Sequence, residues 1–306
     1  MSQLKWGIDL GGTKIEGAVL RIKNDQPDFI IRQRVATESQ YGYDHIIDRI
    51  ADLVEDLKKE TGESPTQLGI GTPGSYDPIT FIHKNSNTTC LNHRTFKSDL
   101  QKKLGIPLFM ANDANCFAIA EATLGSVPMQ IPGARVVFGI IMGTGVGGGL
   151  VVNGQVIHGR HGIGGEFGHI RTEDNDIVCY CGHTGCNENV MSGPALENYY
   201  FQTSGLKKSM KEIVQAWRSG HDVHALATRD RMLHNFGLAC SYIVNLIDPD
   251  AIVIGGGVGQ IDELYEYGQA EILNHMFNDR CDTPLLKPAL GDSAGVVGAA
   301  MLGGGG

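Results

Sequence analysis

Six apolar residues between Tyr43 and Thr61 (Ile46, Ile47, Ile50, Leu53, Val54 and Leu57) return at helical spacing and predict one amphipathic helix that Gly62 closes. Near the start the period changes: Ile8 and Leu10, then Ile15 and Val19, flank Gly11-Gly12-Thr13 and predict a β-hairpin. Residues 68–71 read as a strand running into Thr72-Pro73-Gly74. A helix at 98–104, a strand at 106–111 and a helix at 116–124 follow. The continuous apolar run 135–142 predicts a buried strand, then a glycine turn over 143–149, a strand at 150–152 and a hairpin turn at Asn153-Gly154. Helices are predicted at 194–202, 210–218 and Val223–Ile247, where Asp248-Pro249-Asp250 breaks the pattern. The strand 251–254 opens into Gly255-Gly256-Gly257 before a helix at 261–276. A strand at 285–290, a helix at 293–302 and a glycine tail at 303–306 complete an α/β chain.

The stretch that departs from both periods is 159–188. His169, Cys179, Cys181 and Cys186 supply three thiols and one imidazole, the donor set of a closed structural Zn2+ site. A single residue between Cys179 and Cys181 would strain a disulfide between them. The start of the chain does not read as a signal peptide, so reduced thiols and a cytoplasmic location are expected. The other four cysteines, Cys90, Cys116, Cys240 and Cys281, read as small core side chains. Gly162, Gly164, Gly165 and Gly168 surround Glu166, a backbone that orders itself poorly without an anchor. A metal there would order a loop presenting Glu166, His169 and Glu188 to a ligand.

Composition narrows the class. A net charge of −9 with no Lys/Arg run argues against nucleic acid and anionic membrane as partners. No apolar run approaches the ~20 residues that span a bilayer. The length of 306 residues suits two domains. Small molecules and a second copy, a homodimer, are the expected partners. Glycine is the anomaly: 42 residues, against a usual ~7%. It is clustered, which places bare backbone where ligands approach.

Three glycine clusters carry candidate chemistry. In the first, the amides of Gly11 and Gly12, the Thr13 hydroxyl and the Lys14 cation suit an anion, and Asp9 sits where it would face a metal-bound phosphate. A plain hairpin with an incidental Asp explains that stretch equally well. The second, Gly143-Thr144-Gly145 and onward, matches GxGxxG, but a strand follows where the dinucleotide fingerprint requires a helix, so a phosphate-cradling hairpin remains. The third, Gly255 to Gly257, stands between a strand and a helix and admits a nucleotide. Two polar segments complete the set. The stretch Lys84-Asn85-Ser86-Asn87-Thr88 carries amides and hydroxyls that suit sugar hydroxyls. Asp113, in Asn112-Asp113-Ala114-Asn115, serves either as a helix N-cap or as a proton acceptor.

With DLGGTK, NDAN, GTGVGGG, GGEFGH, CYCGHTGCNE and DPDAIVIGGG in this order, the chain resembles the ROK family of repressors, open reading frames and sugar kinases, within the actin-like ATPase superfamily. The resemblance implies a two-lobed ribonuclease H-like fold with a zinc-binding loop and a cleft. The N-terminal lobe would span 1–122, with the helix 293–302 packing back, and the C-terminal lobe, carrying the zinc site, 123–292. It implies Asp113 as catalytic base. Asn112, Glu166, His169 and Glu188, with Asn87, would hold the sugar, and His169 would also ligate zinc beside Cys179, Cys181 and Cys186. Asp9, Gly11, Gly12, Thr13, Lys14, Gly143, Thr144 and Gly145 would meet ATP phosphates with Mg2+, and Gly255, Gly256 and Gly257 the adenosine. The expected activity is ATP-dependent phosphorylation of a hexose 6-hydroxyl. Residues 84–92 resemble the fructokinase branch, while glucose, mannose and N-acetylhexosamines stay open as substrates. A repressor of the family would need a helix-turn-helix ahead of Trp6, and a zinc hydrolase an open coordination position.

Overall fold

The structure is a computed structural model that describes residues 3–172 and 176–303, so the expected glycine tail at 304–306 lies outside it. Its strands are β1 (Lys5–Leu10), β2 (Lys14–Lys23), β3 (Gln26–Ala36), β4 (Leu68–Thr72), β5 (Ser75–Tyr76), β6 (His83–Lys84), β7 (Leu108–Asn112), β8 (Val136–Met142), β9 (Val146–Val152), β10 (Gln155–Val156), β11 (Ala251–Gly255) and β12 (Leu285–Leu286). Its helices are α1 (Tyr43–Thr61), α2 (Phe96–Leu104), α3 (Asp113–Thr123), α4 (Ser126–Gln130), α5 (Glu188–Met191), α6 (Gly193–Ser204), α7 (Met210–Ser219), α8 (Val223–Ile247), α9 (Asp262–Leu273) and α10 (Ala294–Met301). Among the described residues no helix is long and apolar enough to cross a membrane.

The chain forms two compact units. The first is Met1–Pro132, Gly149–Gly165 and Ala289–Gly306, and the second Gly133–Gly148 and Glu166–Pro288. The boundary was expected at 122, with the helix 293–302 packing back; in the structure the first stretch extends to Pro132, Gly149–Gly165 also belongs to the first unit, and the C-terminal stretch returns to it from Ala289.

In the first unit the sheet runs β3-β2-β1-β4-β7. The predicted hairpin is β1 and β2, antiparallel, with Asp9 opposite Glu16 and Leu10 opposite Ile15. β4 and β7 add in parallel, bringing Thr72 beside Asn112. The apolar stripe of α1 joins Ile8, Leu10, Ile15 and Val19 in one buried cluster, and Gly62 ends the helix in the left-handed conformation. On the other face α10 lies against bare backbone. A Cβ at Gly7 or Gly69 would run into the carbonyls of Val296 or Ala299, and one at Gly298 into the carbonyl of Cys116 in α3.

Several elements were not expected or have other bounds, and four of these have a clear cause. β3, which no expectation covered, lacks a clean apolar face because Arg32 and Arg34 point to the buried Glu16; Arg34 Nε reaches it at 2.6 Å. Gly147 to Gly149 continue as strand, since a Cβ at Gly149 would stand 2.8 Å from the Ala114 carbonyl and Asn115 Cα. The strand expected over 285–290 stops at Leu286: Pro288 lacks an N–H, and the amides of Ala289 and Leu290 turn to the buried Glu121 carboxylate. Helix α3 begins at Asp113, three residues early, because Asn112 is its N-cap, accepting the Asn115 N–H at 2.7 Å.

In the second unit β8, β11 and β12 are parallel, so β8 and β11 end side by side at Ile141 and Gly255. Helix α8, capped by Asp222, packs against α6, α7 and α9.

Candidate functional site

The first unit brings Asp9, the hairpin turn, Asn112 and Asp113 to the ends of β1 and β7. Neither Gly11 nor Gly12 needs the left-handed conformation. Their value is bare, exposed backbone beside the exposed Thr13 and Lys14. The turn is held by Thr37, whose hydroxyl donates to the Gly11 carbonyl at 2.7 Å and whose N–H donates to that of Thr13 at 3.0 Å. Asp9 is hemmed by glycines. A Cβ at Gly295 would lie 2.5 Å from its Oδ2. Burial, then the charges of Asp113 and Glu16, push the Asp9 carboxyl from its ordinary 3.8 up to about 6, against the pull of Lys14 and Arg34.

Asp113 is reached by solvent, yet the protein around its carboxylate raises its pKa by desolvation, which the Ala114 N–H at 2.8 Å opposes. The two readings of this Asp therefore separate. Asn112 caps the helix, which leaves the Asp113 carboxylate available for chemistry. The polar segment after β6 is ordered by Asn92, whose side chain bonds the Ser86 N–H and carbonyl, both at 2.8 Å. Ser86 and Thr88 are thereby buried and Asn87 is exposed. A cavity of about 450 Å³ in this unit is lined by Tyr76, Lys97, Asn112, Asn115 and His158 among others. Its cation, Lys97, sits over the Tyr76 ring at 4.9 Å. Sequence reading missed this cavity because Lys97 and His158 carry no local signal and meet only in the fold.

Two desolvated, mutually repelling carboxylates are a suitable seat for a hard divalent cation such as Mg2+. Without one, Asp9 costs stability. The folded chain holds its proton more tightly than the unfolded chain, so stability falls as pH rises from about 4 to 6 and stays lower above. Asp9→Asn is expected to be more stable than wild type by about 3 kcal/mol at pH 8, with the gain nearly gone at pH 4. Urea denaturation at both pH values tests this; an equal gain at both would refute the burial argument.

In the second unit the two glycine turns adjoin. The Gly143 N–H donates to the Gly145 carbonyl at 2.9 Å, and a Cβ on Gly143 would be 3.8 Å from the Gly257 nitrogen. Gly256 alone of these takes a positive φ, 83°, and its missing side chain clears the Met142 backbone. Both turns lie at the carboxyl ends of parallel strands, where α/β sheets bind ligands. The expected helix after Gly257 is preceded by a short turn at Val258–Gln260. Glu188, expected only as a sugar ligand, accepts the Val146 N–H at 3.0 Å and lies 2.6 Å from where a Gly145 Cβ would be. It braces the glycine turn from the first residue of α5.

The Cys/His cluster forms as the donor chemistry requires. Its four ligand atoms lie within 4.8 Å of one another; His169 Nδ1 is 3.7 Å from Cys179 Sγ, and Cys181 Sγ 3.5 Å from Cys186 Sγ. Donors around a tetrahedral Zn2+ stand about 3.5–3.8 Å apart, so these residues fit the ion. All seven cysteines are free thiols. A tight turn, Cys179 N–H to His183 carbonyl at 2.8 Å, brings the first two thiols round, and His183 itself is not in the cluster. The other ring nitrogen of His169, Nε2, lies 2.9 Å from the Tyr180 hydroxyl. Glu166, just before the short Phe167–His169 turn, is half-buried.

Compared with known proteins, the family model described as "ROK family" matches residues 5–304. The chain is 33% identical to the N-acetyl-D-glucosamine kinase of Vibrio cholerae serotype O1, over 97% of this chain and 98% of that one. A solved ROK hexokinase from Thermus thermophilus superposes with a TM-score of 0.83 at 28% identity, covering 98% of this chain and 97% of that one. A ROK family glucokinase from Streptomyces griseus, solved in complex with glucose and AMPPNP, gives a TM-score of 0.75 at 28% identity, with 99% and 100% covered.

Proposed function

The chain belongs to the ROK family, and from that premise we propose that it is an ATP-dependent sugar kinase whose substrate is N-acetyl-D-glucosamine, phosphorylated at its 6-hydroxyl. The observation that carries this reading is the 33% identity with an N-acetyl-D-glucosamine kinase across nearly the whole of both chains. The fructose preference expected from residues 84–92 finds no support among these relatives and is set aside.

In this reading Asp113 takes the proton of the sugar 6-hydroxyl, whose oxygen attacks the γ-phosphorus of ATP in line as the bond to ADP breaks. Asn87, Asn112, Glu166, His169 and Glu188 hold the sugar hydroxyls. The amides at Gly11 to Thr13 and Gly143 to Gly145, with Lys14, receive phosphate oxygens, and Gly255 to Gly257 the adenosine. Asp9 and Asp113 would hold Mg2+, which would supply charge neutralisation at the phosphates, and His169, Cys179, Cys181 and Cys186 would hold Zn2+ behind the loop that carries Glu188.

A coupled assay for ADP release across N-acetylglucosamine, N-acetylmannosamine, glucose, mannose and fructose tests the proposal. N-acetylglucosamine is expected to give the highest kcat/KM. A higher value for another sugar reassigns the substrate, and no turnover with any of them overturns the kinase reading.

A further inference from the structure

Helices α8 and α9 of the second unit meet at Gly237. A Cβ there would stand 2.6 Å from the backbone carbon and the Cβ of Glu271, so only a bare position lets the two helices approach so closely. One turn before Gly237, on the same side of α8, is His234. Four residues after Glu271 is His275, in the turn that continues α9, its N–H bonded to the Ile272 carbonyl at 3.0 Å. The three side chains converge: one ligand atom from each lies within 4.8 Å of the others. The two imidazole rings stand nearly perpendicular, 81°, with centroids 5.0 Å apart.

Among the described residues the three side chains have little other than one another to bond to. His275 Nε2 is buried and has no hydrogen-bond partner among the described residues. The Glu271 carboxylate receives one long contact, 3.5 Å, from the Asn274 amide. Orphaned buried polar atoms are rare because desolvating them is costly, and an ion shared with the exposed His234 and half-buried Glu271 would remove that cost at His275 Nε2. We propose that His234, Glu271 and His275 form a second metal site, for a divalent ion of the zinc type, distinct from the Cys/His cluster. Two imidazoles with one carboxylate select Zn2+, Ni2+ or Cu2+ over Mg2+ and Ca2+, which prefer all-oxygen shells. Three protein ligands leave a fourth position for water. The bound ion clamps α8 to α9.

The test uses the full chain with its tightly held zinc and with loose metal removed by a brief chelator wash. Calorimetric titration with ZnCl2 is expected to show one further equivalent per chain and a rise in Tm. Glu271→Gln and His234→Gln, both at positions outside the buried core, should abolish that equivalent and the Tm rise, whereas Cys181→Ser should lose the first equivalent and keep the second. With Co2+, the second equivalent should add weak visible bands without thiolate charge transfer. No further equivalent in wild type, an equivalent that survives in both variants, or one that carries thiolate charge transfer would each overturn the proposal.

Discussion

Replacing Asp113 by Asn is expected to lower kcat by at least ~10²-fold, the usual contribution of a positioned general base. Fold and binding should survive. The helix is capped by Asn112, not Asp113, and an Asn at 113 still offers an oxygen to the Ala114 N–H. Circular dichroism and the Kd values for sugar and nucleotide should therefore match wild type while turnover collapses. Near-normal turnover would remove Asp113 from the role. The same residue sets the sign of the pH dependence. A base must be ionised to accept a proton, and burial holds this carboxyl above its ordinary value of 3.8. The acid limb of kcat/KM should accordingly lie above that value and rise with pH, and the Asn variant's residual rate should lack this limb.

Loss of zinc should cost sugar binding before nucleotide binding. Cys181→Ser removes one of four ligands, and a weakening of sugar affinity by ~10–100-fold is expected, the range seen when a metal site is disturbed. The reason is connectivity. The cluster's last cysteine, Cys186, sits two residues before Glu188, and backbone bonds from the Thr172 N–H to the Gly185 carbonyl and from the Asn187 N–H to the Ile170 carbonyl tie that segment to the His169 segment. Among the described residues the turn at Gly255 to Gly257 has no such tie, so ADP affinity should fall less than sugar affinity, with any loss transmitted by the Glu188 brace on the Gly145 turn. Metal analysis with separate titrations of sugar and ADP reads this out. Zinc-free protein as purified, or normal sugar binding by the variant, would show that the metal does not organise the loop. His169→Gln should weaken both zinc and sugar, while Glu166→Gln should leave zinc content unchanged.

Local chemistry made much of this legible. The α1 stripe, its Gly62 stop and the hairpin about Gly11 and Gly12 appear where periodicity put them, because each is decided by residues within one or two turns of chain. The four members of the Cys/His cluster could be named for a similar reason: soft donors in that ratio have few other uses inside one short segment. Asp113 could be singled out by its position between a strand and a helix, but which residue caps that helix was decided only by the structure, where Asn112 accepts the Asn115 N–H.

What stayed hidden depends on partners far away in sequence. Sequence alone determined the α/β class, the long helices, the glycine turns and the thiol-rich loop, because hydrophobic period, turn residues and ligand type are local properties. Tertiary structure alone decided that Arg32 and Arg34 turn β3 toward Glu16 and that Asp9 is raised by Asp113 and Glu16. It also decided that Glu188 braces the Gly145 turn 43 positions earlier, and that Gly237 lets His234 meet Glu271 and His275. Each of these is a desolvated contact across packed elements, and its energy depends on burial and distance, which exist only once the chain has folded.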